Sequence, residues 1–265
     1  MATNYNTVHL FDLDFISATH HTEVLEDIIS YQHESNYRQK LPLVITPNAD
    51  QIVKLNQPQY QVLKEKLSHA SFIFPDGQPI VWFSKLIRKP LKARLTGSDL
   101  FPLLWQQAKE RQHKILIVTS NELLGEKLTQ DYQEALCYTP PFFNLDSPLF
   151  NQVCQDLVHH IENFKPNYVI VGIGFPKQEW LTFAIQSALV DRNISSPLFL
   201  CLGASAEFYA GMKKRAPRFL QKIGLEWLHR LWLEPKRMWK RYILGSFSLL
   251  VLLIKEFKKQ IFHAN

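Results

Sequence analysis

Several short polar clusters directly follow apolar runs of the sequence and carry the side chains best suited to chemistry. Asp76 stands after one such run and before Gly77, which leaves room for a substrate to approach closely. A carboxylate there can accept the proton of an attacking hydroxyl group, although an aspartate that forms a turn or caps a helix has the same sequence signature. Thr46 and Asn48 follow a second apolar run and offer a hydroxyl and an amide. These residues predict a site that orients a polar ligand and activates a hydroxyl group.

A further polar cluster, residues 172–179, combines two glycines with the side chains of Gln178 and Glu179. Pro176 suits the first turn of a helix, and the unpaired N–H groups at a helix N-terminus favour an anionic ligand. We therefore predict a substrate contact for Gln178, whereas Glu179 fits a substrate contact and a structural cap equally well. Arg94 offers a forked donor for phosphate, with a plain surface charge as the alternative.

The elements that must position these residues alternate between short β-rich runs and longer helical segments, an order typical of parallel β-α-β units. The predicted strands are residues 43–46, 71–74, 115–119, 168–172 and 198–202. We predict an α/β fold of the Rossmann-like, doubly wound type with a mostly parallel sheet. In such folds ligands bind beyond the carboxyl ends of the strands, which is where the polar clusters fall.

Composition supports one α/β body, residues 1–205, followed by a helical appendage, residues 206–265. Of the 265 residues 46% are hydrophobic, enough to bury a large core. The net charge of +6 is uneven, because residues 212–265 contain 13 Lys/Arg and 3 Asp/Glu, which leaves 17 and 21 in residues 1–211. A basic segment of this kind attracts an anionic partner, such as a phospholipid surface, a phosphorylated ligand or nucleic acid.

The sequence of the appendage predicts one helix over residues 217–233, with an apolar stripe, and a second helix that begins at Pro235. The apolar stretch 243–254 is shorter than the roughly 20 residues that cross a bilayer. Flanking Trp239, Tyr242 and basic residues favour a helix in a membrane interface, and a helix docked on the body is the alternative.

The chain begins without the pattern of a secretory signal, and its three separated cysteines predict neither a disulfide framework nor a zinc site. We therefore expect a cytoplasmic location.

Five stretches, in order along about three quarters of the chain, resemble the WecG/TagA/CpsF glycosyltransferases, glycosyltransferase family 26. They are TPNADQIV (46–53), FPDGQPIVW (74–82), RLTGSDL (94–100), VGIGFPKQEW (171–180) and AGMKKRAPRFLQKIGLEWLHRLWLEPKRMWKR (210–241). The PKQE block and the RAP to GLEWL block are the most specific of these.

The resemblance implies an inverting hexosyltransferase that uses a UDP-sugar. The transferred sugar would be N-acetylmannosamine, its uronic acid or a related hexose, and the acceptor an undecaprenyl-diphosphate-linked saccharide. The product would enter a cell-envelope polysaccharide: capsule, exopolysaccharide, teichoic acid or an enterobacterial-common-antigen-like polymer. The expected partners are the UDP-sugar donor, the polyprenyl-linked acceptor and an anionic membrane surface, with the enzyme held peripherally on the cytoplasmic face of the inner membrane. The oligomeric state is open, with a homo-oligomer as one option.

The same resemblance assigns the catalytic base to Asp76, and we predict that Thr46, Asn48, Gly77, Arg94, Gln178 and Glu179 bind substrate. A diphosphate leaving group needs positive charge in the transition state. We expect no metal or other cofactor, so the charge is predicted to come from Arg215, Arg230, Arg237, Lys240 and Arg241. The appendage is thus expected both to dock on the membrane and to complete the active site. Asp12 and Asp14 look like a metal-binding D-x-D pair, but the resemblance places them in an N-terminal strand and turn. No H-E-x-x-H or Cys/His cluster offers another metal site.

Two departures from the family pattern leave the donor sugar open. Residues 119–121 are Thr-Ser-Asn where members often carry a Gly-Gly pair, and Glu207 stands where many carry an aspartate. Two other classes compete with an enzyme: a nucleic-acid-binding module that uses the basic, aromatic tail, and a non-catalytic membrane scaffold. The apolar character of 243–254 argues against the first, and the presence of Asp76 and Gln178 argues against the second.

Overall fold

The computed structural model describes residues 5–31, 40–222, 225–233 and 235–262. In chain order its strands are β1 Asn6–Leu10, β2 Leu13–Ser17, β3 Leu41–Ile45, β4 Ala70–Ile73, β5 Ile115–Thr119, β6 Ala135–Tyr138, β7 Tyr168–Gly172 and β8 Leu198–Cys201. Its α-helices are α1 Thr22–Ile29, α2 Ala49–Leu55, α3 Gln61–Ser68, α4 Gln78–Leu86, α5 Gly97–Arg111, α6 Glu122–Asp131, α7 Pro148–Phe164, α8 Lys177–Asp191, α9 Ser205–Tyr209, α10 Arg218–Lys222, α11 Glu226–Leu233 and α12 Pro235–Phe262.

Strands β3 to β8 form one parallel sheet in the order β4-β3-β8-β7-β5-β6. Side chains along each strand alternate between two cores. Leu43 and Ile45 of β3 belong to the core that α2, α3, α7 and α8 cover, whereas Val44 belongs to the core under α1, α5 and α6. Helices on both faces of a parallel sheet confirm the predicted α/β, Rossmann-like, doubly wound fold.

The five predicted strands are all present: β5 and β7 have the predicted ends, and the ends of the other three differ by at most two residues. β6 was not predicted, because this edge strand has four residues of which only Ala135 is buried, so it lacks a strong apolar run. The prediction of one continuous helix over 217–233 is wrong, since α10 ends at Lys222 and α11 begins at Glu226. The sequence has Gly224 in this interval, a residue with low helix propensity.

α9 packs on α5, where the rings of Tyr209 and Phe101 lie 5.3 Å apart between centroids. The boundary drawn between body and appendage at residue 205 stays a prediction, and α9 is attached to the body by these contacts. α12 begins at Pro235 as predicted.

The turn of the β1–β2 hairpin has positive φ at both central residues, 55° at Phe11 and 62° at Asp12. Such a turn usually recruits Gly or Asn, because other side chains are strained there. Neighbouring contacts hold it in place. The buried ring of Phe11 stacks on Phe83 with 5.7 Å between centroids, and the Phe11 N–H donates to Glu256 Oε1 of α12 at 3.1 Å. The C-terminal helix therefore stabilises an N-terminal turn.

α12 lies along the body with two different apolar faces. Leu252 and Leu253 pack against the main core, Glu256 is buried, and the helix contacts α2. The outward face carries an exposed apolar stripe of Phe247, Leu250, Val251, Ile254 and Phe257. The alternative that residues 243–254 belong to a helix docked on the body thus holds for one face of α12. Across the described part of the chain, no helix combines the length and apolar character needed to cross a bilayer.

Candidate active site

A cavity of about 280 Å³ lies at the carboxyl ends of β3 and β4, where the fold class places ligands. The body contributes one wall through Asn48, Asp76 and Arg94, together with the first turns of α2 and α4. The appendage contributes the other wall, formed by Glu226, Trp227, Gly245, Ser246 and Leu249. The site is therefore a composite of body and appendage.

Asp76 occupies the turn between β4 and α4 and is half-buried at the cavity wall. Its N–H donates to Pro47 O at 3.3 Å, which joins this turn to the one after β3. Gly77 is the N-cap of α4, and a Cβ there would lie 3.1 Å from Ala49 N. Glycine therefore allows the two turns to approach closely, with the Asp76 carboxylate beside them.

Asn48 caps α2 and faces the cavity. Its Oδ1 accepts hydrogen bonds from Asp50 N at 3.1 Å and Gln51 N at 3.2 Å, and Gln51 Oε1 accepts from Asn48 N at 2.8 Å. This is a capping box, which fixes the side-chain conformation. Because Oδ1 is committed to the helix, the Nδ2 group is the part of Asn48 that can donate to a ligand.

Thr46 is buried just below the cavity. A Cβ on Gly97 would lie 3.0 Å from both Thr46 Oγ1 and Ser205 Oγ, so glycine at residue 97 avoids crowding where the first turn of α5 approaches the ends of β3 and β8. Thr46 does not line the 280 Å³ cavity. Its contact with a ligand stays a prediction.

Arg94 donates from both Nη1 and Nη2 to Glu226 Oε2, each at 3.2 Å, and both side chains are largely buried. The pair lies on the cavity wall and connects the body to α11. Arg94 is thus no plain surface charge, and its guanidinium is close enough to the cavity to meet an anionic ligand. Phosphate binding by Arg94 stays a prediction.

Gln178 and Glu179 are both buried in the first turn of α8 and do not line the cavity. Gln178 Oε1 accepts from Gly174 N at 3.2 Å, and its Nε2 donates to Glu179 Oε1 at 2.8 Å. These bonds fasten the loop after β7, so both residues act as internal anchors in this conformation. Their predicted substrate contacts remain untested.

The Glu179 carboxyl is deeply buried, and its Oε2 has no hydrogen-bond partner among the described residues. Burial raises the pKa of Glu179 from 4.5 to about 7, against the opposing effect of the Gln178 hydrogen bond. Since an unpaired buried charge is costly, this carboxyl holds a proton up to about neutral pH.

The basic residues assigned to the diphosphate are only partly described. Arg215 donates to Asp99 Oδ1 at 2.6 Å, which ties the segment after α9 to the first turn of α5. It does not line the cavity. The side chains of Arg230, Arg237, Lys240 and Arg241 lie outside the described residues, and all five phosphate assignments stay predictions.

The D-x-D pair is engaged within the fold. Asp12 accepts hydrogen bonds from Lys64 at 2.5 Å and from Lys259 of α12, and these bonds lower the pKa of its carboxyl to about 2 against the effect of burial. Asp14 Oδ1 lies 2.8 Å from His9 Nδ1. Asp12 therefore serves as an anchor for the appendage. The described residues contain no group of three or more His, Cys, Asp or Glu that could hold a metal.

A larger cavity of about 690 Å³ opens at the opposite edge of the sheet, next to the amino ends of β7 and β8. Its wall includes Arg111, His113 and Lys165, and none of the residues that the sequence singled out. We place the active site at the smaller cavity, because parallel sheets bind ligands at the carboxyl ends of their strands.

Comparison with known proteins decides the class of this protein. Residues 8–262 match the glycosyl transferase WecG/TagA/CpsF family. The chain belongs to this family. Two Staphylococcus aureus proteins, of strains MRSA252 and NCTC 8325, are 29% and 28% identical to it over 203 residues, 76% of either chain. Each is named N-acetylglucosaminyldiphosphoundecaprenol N-acetyl-beta-D-mannosaminyltransferase.

In this WecG/TagA/CpsF glycosyltransferase, sequence reasoning expected the appendage to complete the site through its basic residues, and it missed the appendage residues that line the cavity. Glu226 and Trp227 lie inside the GLEWL block, so the motif itself was the available signal. Gly245, Ser246 and Leu249 gave no signal, because their place depends on how α12 docks. The glycosyltransferase thus has a carboxylate, a capped amide and a buried ion pair around one cavity.

We predict that Glu179→Gln removes a pH-dependent loss of stability. The folded-state pKa of about 7 exceeds the ordinary 4.5, so the folded protein holds an extra proton between these values. The free energy of unfolding therefore falls as pH rises through this window. The variant should exceed wild type by on the order of 3 kcal/mol at pH 8, and this difference should shrink to below about 1 kcal/mol at pH 5 and vanish only below the ordinary pKa of 4.5.

Urea unfolding at both pH values measures this difference. Glu65→Gln on the exposed surface of α3 is the matched control and should follow wild type at each pH. A Glu179→Gln advantage of the same size at pH 5 and pH 8 would show that the Glu179 carboxyl does not titrate in this window.

Proposed function

We propose that this glycosyltransferase moves N-acetylmannosamine, or a closely related sugar, from UDP to an undecaprenyl-diphosphate-linked saccharide, with inversion, in the synthesis of a cell-envelope polysaccharide. The observation that carries the proposal is the position of Asp76, a carboxylate on the wall of a cavity at the carboxyl ends of β3 and β4. The names of the Staphylococcus aureus relatives supply the sugar and the lipid-linked acceptor as the first choice.

In the proposed reaction the Asp76 carboxylate takes the proton of the acceptor hydroxyl. The freed oxygen attacks the anomeric carbon from the face opposite the diphosphate, and the bond between that carbon and the leaving phosphate oxygen breaks, which releases UDP. Asn48 Nδ2 is placed to donate to a polar group of one of the sugars. A β-linked product from an α-linked nucleotide sugar requires this inversion.

The departing diphosphate needs positive charge close to it. Arg94 is the described guanidinium on the cavity wall, where a diphosphate would compete with Glu226 for its donors. We further propose that the reaction needs no metal, with the remaining charge supplied by the arginines of α11 and α12. The engagement of Asp12 with Lys64 and Lys259 supports this proposal, because it leaves the D-x-D pair poorly suited to a cation.

We also propose that the enzyme is a peripheral protein on the cytoplasmic face of the inner membrane. The exposed stripe on α12 supports it, together with Trp232, 84% exposed, and Trp239. Lys255 and Lys258 are exposed on the same helix. Aromatic, aliphatic and basic side chains together are typical of helices that lie in an anionic bilayer interface. A nucleic-acid-binding tail fits this apolar face less well.

The function is tested with a wild-type transfer assay. UDP-N-acetylmannosamine and N-acetylglucosaminyl-diphosphoundecaprenol should give a disaccharide lipid, identified by mass and by a β-anomeric linkage. UDP-N-acetylglucosamine, the epimer at C2, is the matched control and should react far more slowly. Excess EDTA should leave the rate unchanged. Transfer from UDP-N-acetylglucosamine but not from UDP-N-acetylmannosamine would contradict the proposed donor sugar. Loss of transfer activity in EDTA, with recovery on addition of manganese, would contradict the proposal that the reaction needs no metal.

Asp76→Asn should lower turnover by roughly 10² to 10⁴ while UDP binding stays close to wild type, because the change removes the proton acceptor and keeps the shape. Asp50→Asn is the matched control. Asp50 is a second carboxylate on the same wall, paired with Lys54 at 3.1 Å, and its variant should stay within a few-fold of wild type. Turnover near wild type in Asp76→Asn would exclude this carboxylate as the base.

A further inference from the structure

α4 begins directly after Asp76 and Gly77 and has an unusual outer face. Ile80, Val81 and Phe83 point into the body and are buried. Trp82 and Leu86, four residues apart and so on one side of the helix, are 51% and 70% exposed. Two large apolar side chains side by side in water indicate a surface with a partner.

The surroundings of this pair are basic. Lys85, Arg88 and Lys89 are exposed next to it, and residues 77–98 contain five Lys/Arg and no Asp or Glu. Tryptophan beside lysine and arginine is the composition of helices that sit at an anionic bilayer surface. The charge makes a lipid headgroup layer the best match for the partner.

α4 also lies next to α12, whose outer stripe the proposed function assigns to the membrane. The first turn of α4, Gln78 and Pro79, and the α12 residues Gly245 and Leu249 line the same cavity. Three residues beyond the C-terminal end of α4, Lys89 Nζ donates to Gln260 Oε1 of α12 at 2.5 Å. The two helices therefore flank one cavity at one end of α4 and are connected by a hydrogen bond just beyond the other end.

We propose that α4 is a second membrane-contact element, with Trp82 and Leu86 inserted among the headgroups of an anionic bilayer and Lys85 beside them. This inference rests on the proposed function and adds a partner for the catalytic body itself. α4 begins two residues after Asp76, and at 1.5 Å of rise per residue Trp82 lies about 6 Å along the helix from Gln78. The contact would therefore hold the proposed base close to the headgroups, where the diphosphate of a lipid-linked acceptor lies.

The test compares the binding of three double variants to vesicles of phosphatidylglycerol and phosphatidylcholine, and to vesicles of phosphatidylcholine alone. Trp82→Ser/Leu86→Ser should lower the partition to anionic vesicles by about tenfold. Leu123→Ser/Val190→Ser removes two exposed apolar side chains from α6 and α8 and should bind as wild type. Phe247→Ser/Ile254→Ser tests the α12 stripe separately. Thermal unfolding of each variant checks that it is folded.

Sugar transfer is measured in parallel with two acceptors. The α4 variant should lose about tenfold in rate with acceptor embedded in vesicles, and keep its wild-type rate with a short-chain, water-soluble acceptor. Wild-type partition of a folded Trp82→Ser/Leu86→Ser protein overturns the proposal. If the vesicle partition of the Trp82→Ser/Leu86→Ser variant is unchanged and sedimentation equilibrium shows that the variant is a monomer where wild type is a dimer, the proposal is also overturned. That result would identify a second copy of the chain as the partner. If wild type transfers no sugar to either acceptor, the proposed function fails, while the vesicle partition still decides the role of α4.

Discussion

The Glu256 carboxylate accepts a hydrogen bond from the backbone N–H of Phe11, and the docking of α12 depends on it. Both groups are buried, so their separation would remove the acceptor of a buried amide. The Glu256 carboxylate would keep its bond from Gln260 Nε2, which is 2.7 Å long. A hydrogen bond to a charged group contributes about 1.5 to 3 kcal/mol. The bond also stabilises a turn in which Phe11 has φ of 55°. The first strands and the last helix of the chain thus hold each other in place.

Docking of α12 gives the glycosyltransferase a site that neither part of the chain forms alone. The body supplies Asp76 and the capped Asn48, and the appendage supplies Glu226 and Leu249 to the facing wall. Arg94 and Glu226 connect the two parts at the cavity itself. A segment proposed to contact the membrane is thereby coupled to the proposed catalytic residue, which suits an enzyme proposed to act on an acceptor held in the bilayer.

The sequence predicted what depends on local pattern. Central strands such as β7 are buried on both faces and gave clear apolar runs, and Asp76 and Asn48 were found because they follow strands. β6 was missed because only Ala135 of this edge strand is buried. Gly245 and Leu249 could not be found, since their role depends on a contact between residues far apart in the chain. The two apolar faces of α12 explain why residues 243–254 fitted both a docked helix and a membrane helix.

The most direct test of this account is amide hydrogen exchange of wild type and Glu256→Ala, with exposed Lys258→Ala as the control. Glu256 does not line the cavity, so an effect there must pass through the docking of α12. The account predicts faster exchange in Glu256→Ala at Phe11, along α12 and at residues 76–78, with β5 unchanged. Exchange at residues 76–78 that equals wild type while α12 exchanges faster would contradict the claim that α12 completes the active site.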